Sequence, residues 1–441
     1  MERKKRRRRR VIFRRIIALL YILSFFAGCA VAYSIYGGSN AQTEFDVVTY
    51  QQLSRIAALD EKYTQKSTQV TMTAIGDVMV HKAQMDRAYR KSSDSFDFTD
   101  TFAYVKDILS EKDYTVANLE TTLAGRDKGI GKKYYGYNDY PMFNSPEVLA
   151  DTLKDCGVDF LSTVNNHSMD SKVAGVYATL DYLDQLGFQH TGTARSKDEQ
   201  DQLCLETINH ITFGFVSFTY DTNGITVPSD SDFAVNSLKN YEPDRVAWVC
   251  QRVKDLKSAG ADIVIVIAHW GIEYQTKPSS YQTNLTDQFF QAGADVIFGS
   301  HPHVVQPMEV RQIQNADGTT RTGVVIYSLG NFVSSQTNKA GPDKDLGLIM
   351  NVTFKKENNV TTIDAVEVTP TYVFWTDQVI GVVPAEYALS DKSSYPLIDS
   401  KGWSRIQYAH DKIISVVTGQ FNLQYTLSDN WYHIALPNSS N

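Results

Sequence analysis

Five short clusters along the chain hold side chains suited to chemistry: Gly76-Asp77, Asn118-Leu119-Glu120, Asn165-Asn166-His167, His269 and His301-Pro302-His303. Carboxylate, amide oxygen and imidazole without thiolate suit a divalent Mn, Fe, Zn or Mg ion rather than a structural zinc. One carboxylate can bridge two cations while imidazoles fill the remaining positions. Two cations about 4 Å apart activate water and neutralise a phosphoryl group. His167 need not face the same way as its neighbour: Asn166 can bind metal while His167 protonates a leaving group.

Such residues meet only if the fold brings them together. Each cluster ends a stretch of strand type: "QVTMTAIGD", "YTVANLE", "VDFLSTVNNH", "ADIVIVIAHW" and "ADVIFGSHPH". Helical segments lie between them, among them "SPEVLADTLKDCG", "GVYATLDYLDQLG", "RVAWVCQRVKDLKSAG" and "NLTDQFFQAG". The first begins on Ser-Pro and ends on Gly, as helices do. This alternation predicts a mainly parallel sheet with helices on its faces. Ligands of such sheets bind beyond the carboxyl ends of the strands, so all five clusters are expected on one rim. "CLETINHITFGFVSFTY" reads as a hairpin turning at Asn209-His210, and "GVVIYSLGNFV" and "LGLIMNVTF" as antiparallel strands.

The segments "AIGDVM", "ANLET", "VNNHSMD", "AHWGIEY", "GSHPHVVQP" and "YSLGNF", with "DTNG" at Asp221–Gly224, carry a resemblance. From roughly Gln69 to Phe354 the chain resembles the CapA/PgsA family of poly-γ-glutamate capsule biosynthesis proteins, relatives of the calcineurin-like metallophosphoesterases. The resemblance implies an α/β fold, a four-layer α/β/β/α metallophosphoesterase-like sandwich with a site for one or two divalent metals. It implies Asp77, Glu120, Asn166, His269, His301 and His303 as metal ligands and His167 as the acid. It further implies biosynthesis or export of an anionic capsular polymer, poly-γ-glutamate, beside other membrane subunits of a polymer-synthesis complex. A metallophosphoesterase acting on an envelope phosphoester and a non-catalytic scaffold are the other two readings.

The pattern also departs from its superfamily. The first phosphoesterase motif has Asp-x-His, but Val78 and Met79 follow Asp77 here. His81, four positions on, is either a substitute ligand or an ordinary loop residue. Asn-Leu-Glu stands where the superfamily uses Gly-Asp-x-x-Asp, which supports metal binding better than hydrolysis. Asn165, Trp270, Glu273 and Asn331 are candidate site-lining residues, with packing and capping the plain alternative for Trp270 and Glu273. The Gly-rich basic loop "GRDKGIGKKYYGY" lacks the Walker pattern and reads as solvated. Ser328 sits in no G-x-S-x-G elbow.

Charge and hydropathy place this body. Residues 1–15 hold ten of the 43 basic side chains and one of the 50 acidic ones, so the remainder is strongly acidic. Such a body repels phosphate backbones, which excludes nucleic acid as its main partner. Residues 16–36 run without a charge for the length that crosses a bilayer. Cations before that run predict a single-pass cell-membrane protein, N-terminus cytoplasmic and main domain extracellular. "FAGC" ending at Cys29 admits lipidation, and a cleaved signal is a third route; all three export the body. The expected organisation is a basic segment (1–15), an anchor (16–36), a stalk (37–68), the CapA-like domain (69–371) and a C-terminal extension packed on it (372–441). Cys156, Cys204 and Cys250 allow at most one bridge and read best as buried apolar thiols.

Overall fold

The computed structural model describes residues 67–126, 136–315, 317–336 and 343–437. The expected basic segment, the anchor and nearly all of the stalk lie outside the described residues, as do residues 127–135 of the Gly-rich loop. Among the described residues no helix is long and apolar enough to cross a membrane.

Strand β1 (Ser67–Val78) leads through helix α1 (Lys82–Ala88) and a small hairpin, β2 (Tyr89–Arg90) with β3 (Ser95–Phe96), to α2 (Lys106–Glu111). Strands β4 (Tyr114–Leu119), β5 (Phe160–Ser162) and β6 (Gln189–Thr191) alternate with α3 (Val148–Asp155) and α4 (Lys172–Gln185). After α5 (Lys197–Asp201), β7 (Cys204–Ile208) and β8 (Ile211–Thr219) form the expected hairpin, with Asn209 and His210 at positive φ. Then come α6 (Pro243–Ser258), β9 (Ile263–His269), α7 (Ser280–Ala292), β10 (Val296–Ser300), β11 (Met308–Gln314), β12 (Thr320–Ile326) and β13 (Asn331–Val333). The last elements are β14 (Leu346–Glu357), β15 (Val360–Trp375), β16 (Ile380–Pro384), α8 (Ala385–Ser390), α9 (Ser400–Gly419), β17 (Tyr425–Ser428) and β18 (Trp431–Ile434).

These strands form two large sheets. One runs β17-β18-β15-β14-β1-β4-β5-β6, with β13 beside β1 and β16 beside β15; the other runs β11-β12-β10-β9-β8-β7. In the first, β1, β4, β5 and β6 are parallel. In the second, β8, β9, β10 and β12 are parallel.

Side-chain alternation explains the layers. Ile263, Ile265 and Ile267 of β9 enter the core between the sheets, where Val70, Met72 and Ala74 of β1 meet them. Val264, Val266 and Ala268 point the other way, onto α6 and α7. Ile75 of β1 and Leu119 of β4 likewise face α2, α3 and α4. A strand buried on both faces needs a continuous apolar run, which is what β9 has. The result is a mixed α/β fold with helix, sheet, sheet and helix in successive layers.

One expectation meets a different arrangement. "GVVIYSLGNFV" is not one strand: β12 ends at Ile326 in the smaller sheet, parallel to β10, and β13 joins the larger sheet parallel to β1. Gly330, at φ +71°, makes the crossing, and its carbonyl accepts the Asp77 N–H at 3.0 Å. In the C-terminal part, β15 runs through the 371/372 boundary, β18 pairs with it, and Ile406, Ala409 and Ile413 of α9 share the inter-sheet core.

Candidate metal centre

The carboxyl ends of both parallel sets converge. Asp77 lies near the end of β1, Glu120 follows β4, His269 ends β9, and Ser300 ends β10 just before His301. Asn331 opens β13 in register with Asp77. Glycine permits this closeness at two points. A Cβ on Gly76 would lie 2.0 Å from the Gly330 carbonyl oxygen, and one on Gly299 would lie 2.1 Å from that of Tyr327. His301 and His303 adopt φ of 96° and 57°, a left-handed backbone that non-glycine residues hold only where the surroundings enforce it. Here the His301 N–H donates to Asp77 Oδ2 at 3.3 Å, and the Pro302 carbonyl accepts the Tyr274 N–H at 2.8 Å.

Asp77 and Glu120 are fully buried. Asn118 Nδ2 donates to Asp77 Oδ1 at 2.7 Å. His303 Nδ1 lies 3.0 Å from Asn331 Oδ1 and 3.2 Å from Asp77 Oδ2. Asn331 Nδ2 donates to the Lys344 carbonyl, so the amide can only accept from the ring. Nδ1 therefore carries the proton, and the Nε2 lone pair faces Glu120 Oε1, 3.8 Å away. His269 Nε2 lies 2.7 Å from Asn166 Oδ1 and 3.5 Å from Glu120 Oε1, while its Nδ1 meets Ser300 Oγ at 3.0 Å.

Three groups of these residues bring ligand atoms within 4.8 Å of one another: Glu120, His269 and His301; Asp77, Glu120 and His303; and Glu273, His301 and His303. Glu120 belongs to the first two, placed as a bridging carboxylate would be. Both Glu120 oxygens and His301 Nδ1 are buried without a hydrogen-bond partner. Native proteins rarely leave such atoms unsatisfied, and a cation is one way to satisfy them. Burial, then the neighbouring Asp77 carboxylate, pushes the Glu120 carboxyl well above its usual range. Burial, reinforced by neighbouring imidazoles, holds His269 and His301 well below theirs, as neutral rings with lone pairs to give. The donor set fits a divalent metal.

The remaining candidates separate by role. His167 Nδ1 lies 2.7 Å from Asp170 Oδ2, and its ring meets the edge of Phe143 at 4.7 Å between centroids. Asn165 braces the loop: its Oδ1 accepts the His167 N–H and its Nδ2 donates to the Leu119 carbonyl. Trp270 does not line the site. It is buried in the outer core, where Nε1 donates to the Tyr327 carbonyl at 3.0 Å, because alternation turns it opposite to His269. His81 is neither an exposed loop residue nor a member of the three groups. It caps α1 with Gln84, accepts the Ser335 N–H on Nδ1 at 3.2 Å, and burial lowers its pKa to about 4. Asn118, from the second expected cluster, contacts both Asp77 and His269. Asp170, Ser300, Tyr220 and Tyr274 complete the site and were not among the expected residues. Asp170 had a signal, three positions after His167 in the same segment.

Fold and site together define a class: a two-sheet α/β sandwich with a buried carboxylate, amide and imidazole centre where the strand ends converge. The chain belongs to the family described as bacterial capsule synthesis protein PGA_cap, which matches residues 71–336. It is 31% identical over 301 residues to the PGA biosynthesis protein CapA of Bacillus subtilis, covering 67% of this chain and 72% of that one. It is 27% identical over 286 residues to the capsule biosynthesis protein CapA of Bacillus anthracis, covering 65% of this chain but only 64% of that one. Among solved structures, the calcineurin-like phosphoesterase YfkN of B. subtilis overlaps 78% of this chain and 100% of its own, at 12% identity and a TM-score of 0.37.

Proposed function

We propose that this chain is a membrane-anchored extracytoplasmic protein that holds divalent metal and serves biosynthesis or export of the anionic polymer poly-γ-glutamate through a phosphoesterase-like site. The polymer reading draws on the names of the two CapA relatives. The chemical reading rests on one observation: a fully buried Glu120, both oxygens without hydrogen bonds, shared by two imidazole-containing donor groups.

Asp77, Glu120 and His303 would hold one ion, and Glu120, His269 and His301 a second, with Asn166 at hand through its Oδ1. When bound, the metal supplies a Lewis acid and a water of lowered pKa. The protein does the rest. Asn331 fixes the His303 tautomer, and Ser300 and Asn118 orient His269. Asp170 holds His167 by Nδ1, which leaves Nε2 to keep a proton and hand it to a leaving oxygen.

The test uses the full chain, purified, with Mn added and a chromogenic phosphodiester as substrate. Bound metal with turnover that falls on His167→Ala supports the proposal. Bound metal without turnover on any phosphoester leaves a binding scaffold, and no bound metal refutes the centre.

A further inference from the structure

We infer that Glu273 is a displaceable ligand: it covers the cation pair from the open side and yields to the oxyanion of an incoming substrate. This rests on the metal-centre reading above. His301 and His303 fall in different inner donor groups, yet a Glu273 oxygen reaches ligand atoms of both within 4.8 Å. With cations held by those two groups, a carboxylate so placed would compete with a substrate oxygen for the same positions. His301 offers a second sign, since its Nδ1 is buried and without a hydrogen-bond partner.

Exposure sets Glu273 apart from the other carboxylates. Asp77 and Glu120 are walled in, whereas Glu273 faces solvent on a turn between Gly271, at φ 96°, and Tyr274, at φ 65°. The turn is pinned by its backbone, with Gly271 N–H donating to Tyr241 Oη at 3.2 Å and Tyr274 N–H to the Pro302 carbonyl at 2.8 Å. The main chain is thus held while the side chain stays in water. Such a carboxylate is rehydrated by water on leaving a cation, whereas a buried one would be left as an uncompensated charge. Tyr220 and Tyr274 flank the same opening, their rings 4.6 Å from His301 and 6.1 Å from His303.

An internal ligand on the substrate position weakens every external ligand by the fraction of time it stays bound. Removing it therefore strengthens oxyanion binding, whether the oxyanion is a phosphate or a carboxylate.

The experiment loads the full chain and Glu273→Gln with Co(II), records visible absorption, and titrates inorganic phosphate and, separately, glutarate. The variant should differ in spectrum from the wild type without added anion and coincide with it at saturation. It should bind at least one of the two anions about tenfold more tightly, and the larger gain identifies the oxyanion. Identical spectra without anion, or unchanged affinity for both anions, overturn the inference while leaving the metal centre in place. Failure of Co(II) to bind either protein overturns both.

Discussion

His167 Nδ1 lies 2.7 Å from Asp170 Oδ2, and that same oxygen accepts the Phe143 N–H at 2.5 Å. The second bond aims the carboxylate, and the carboxylate aims the ring. Replacing Asp170 by Asn removes the charge that stabilises a protonated imidazole and can invert the tautomer. Asp170→Asn should lower phosphodiester turnover by roughly 10²- to 10⁴-fold, the range seen when such an orienting carboxylate is lost. Metal content should stay unchanged. Because the pair acts as a unit, adding His167→Gln should cost little more than the worse single change. Turnover and bound metal measured on the same samples check this.

Glu120 is shared by two donor groups, whereas His269 belongs to one and Asp77 to the other. Glu120→Gln should therefore abolish tight binding at both positions, while His269→Ala or Asp77→Asn should remove one. Metal that binds only the folded chain also stabilises it, by about 2.7 kcal/mol at a hundredfold excess over Kd. Chelator should lower the melting temperature of wild type and leave Glu120→Gln unmoved. Elemental analysis beside thermal melts reads both effects.

Why some of this was legible in the sequence follows from particular residues. The unbroken run Ile263 to Ala268 could only be a strand covered on both faces, and that fixed the rim on which His269 lies. Period-two alternation also contained the answer for Trp270, which must point away from its neighbour's site. The crossing at Tyr327–Gly330 was not legible, because an apolar pattern does not say which of two sheets receives the next strand. Nor was the role of His81, since histidine is an unusual helix cap and only the Gln84 partner betrays it. Ser300 was hidden because its work is to hold another side chain, the His269 ring.

Close backbone crossings make a separate prediction about stability. Gly76 and Gly299 each face a carbonyl oxygen that a Cβ would approach within 2.0 and 2.1 Å. Neither oxygen sits at the end of a flexible side chain, so strands of the core must move. Gly76→Ala and Gly299→Ala should each destabilise by about 3 kcal/mol or more. Gly187 supplies the control: its φ is +68° but a Cβ there would meet nothing within 4 Å. Gly187→Ala should cost only about 1 kcal/mol, the backbone strain alone. Guanidinium unfolding midpoints separate the two cases.

Cys156 and Cys204 are free thiols, the first buried and the second half-buried. Burial raises their pKa to about 11 and about 12, because the thiolate loses its solvation in apolar surroundings. The thiolate is the reactive form, so at pH 8 Cys156 should label on the order of 10²-fold more slowly than a free cysteine of pKa about 8.5. Its rate should still climb above pH 9, where an ordinary thiol levels off. The same shift acts on folding. The neutral thiols favour the native state fully below about pH 8.5, the unfolded value, and that contribution is lost as pH rises toward the folded values. Labelling rates followed from pH 7 to 10, with and without denaturant, test the shift directly. A plateau near pH 8.5 in the folded chain would show that these thiols are solvated.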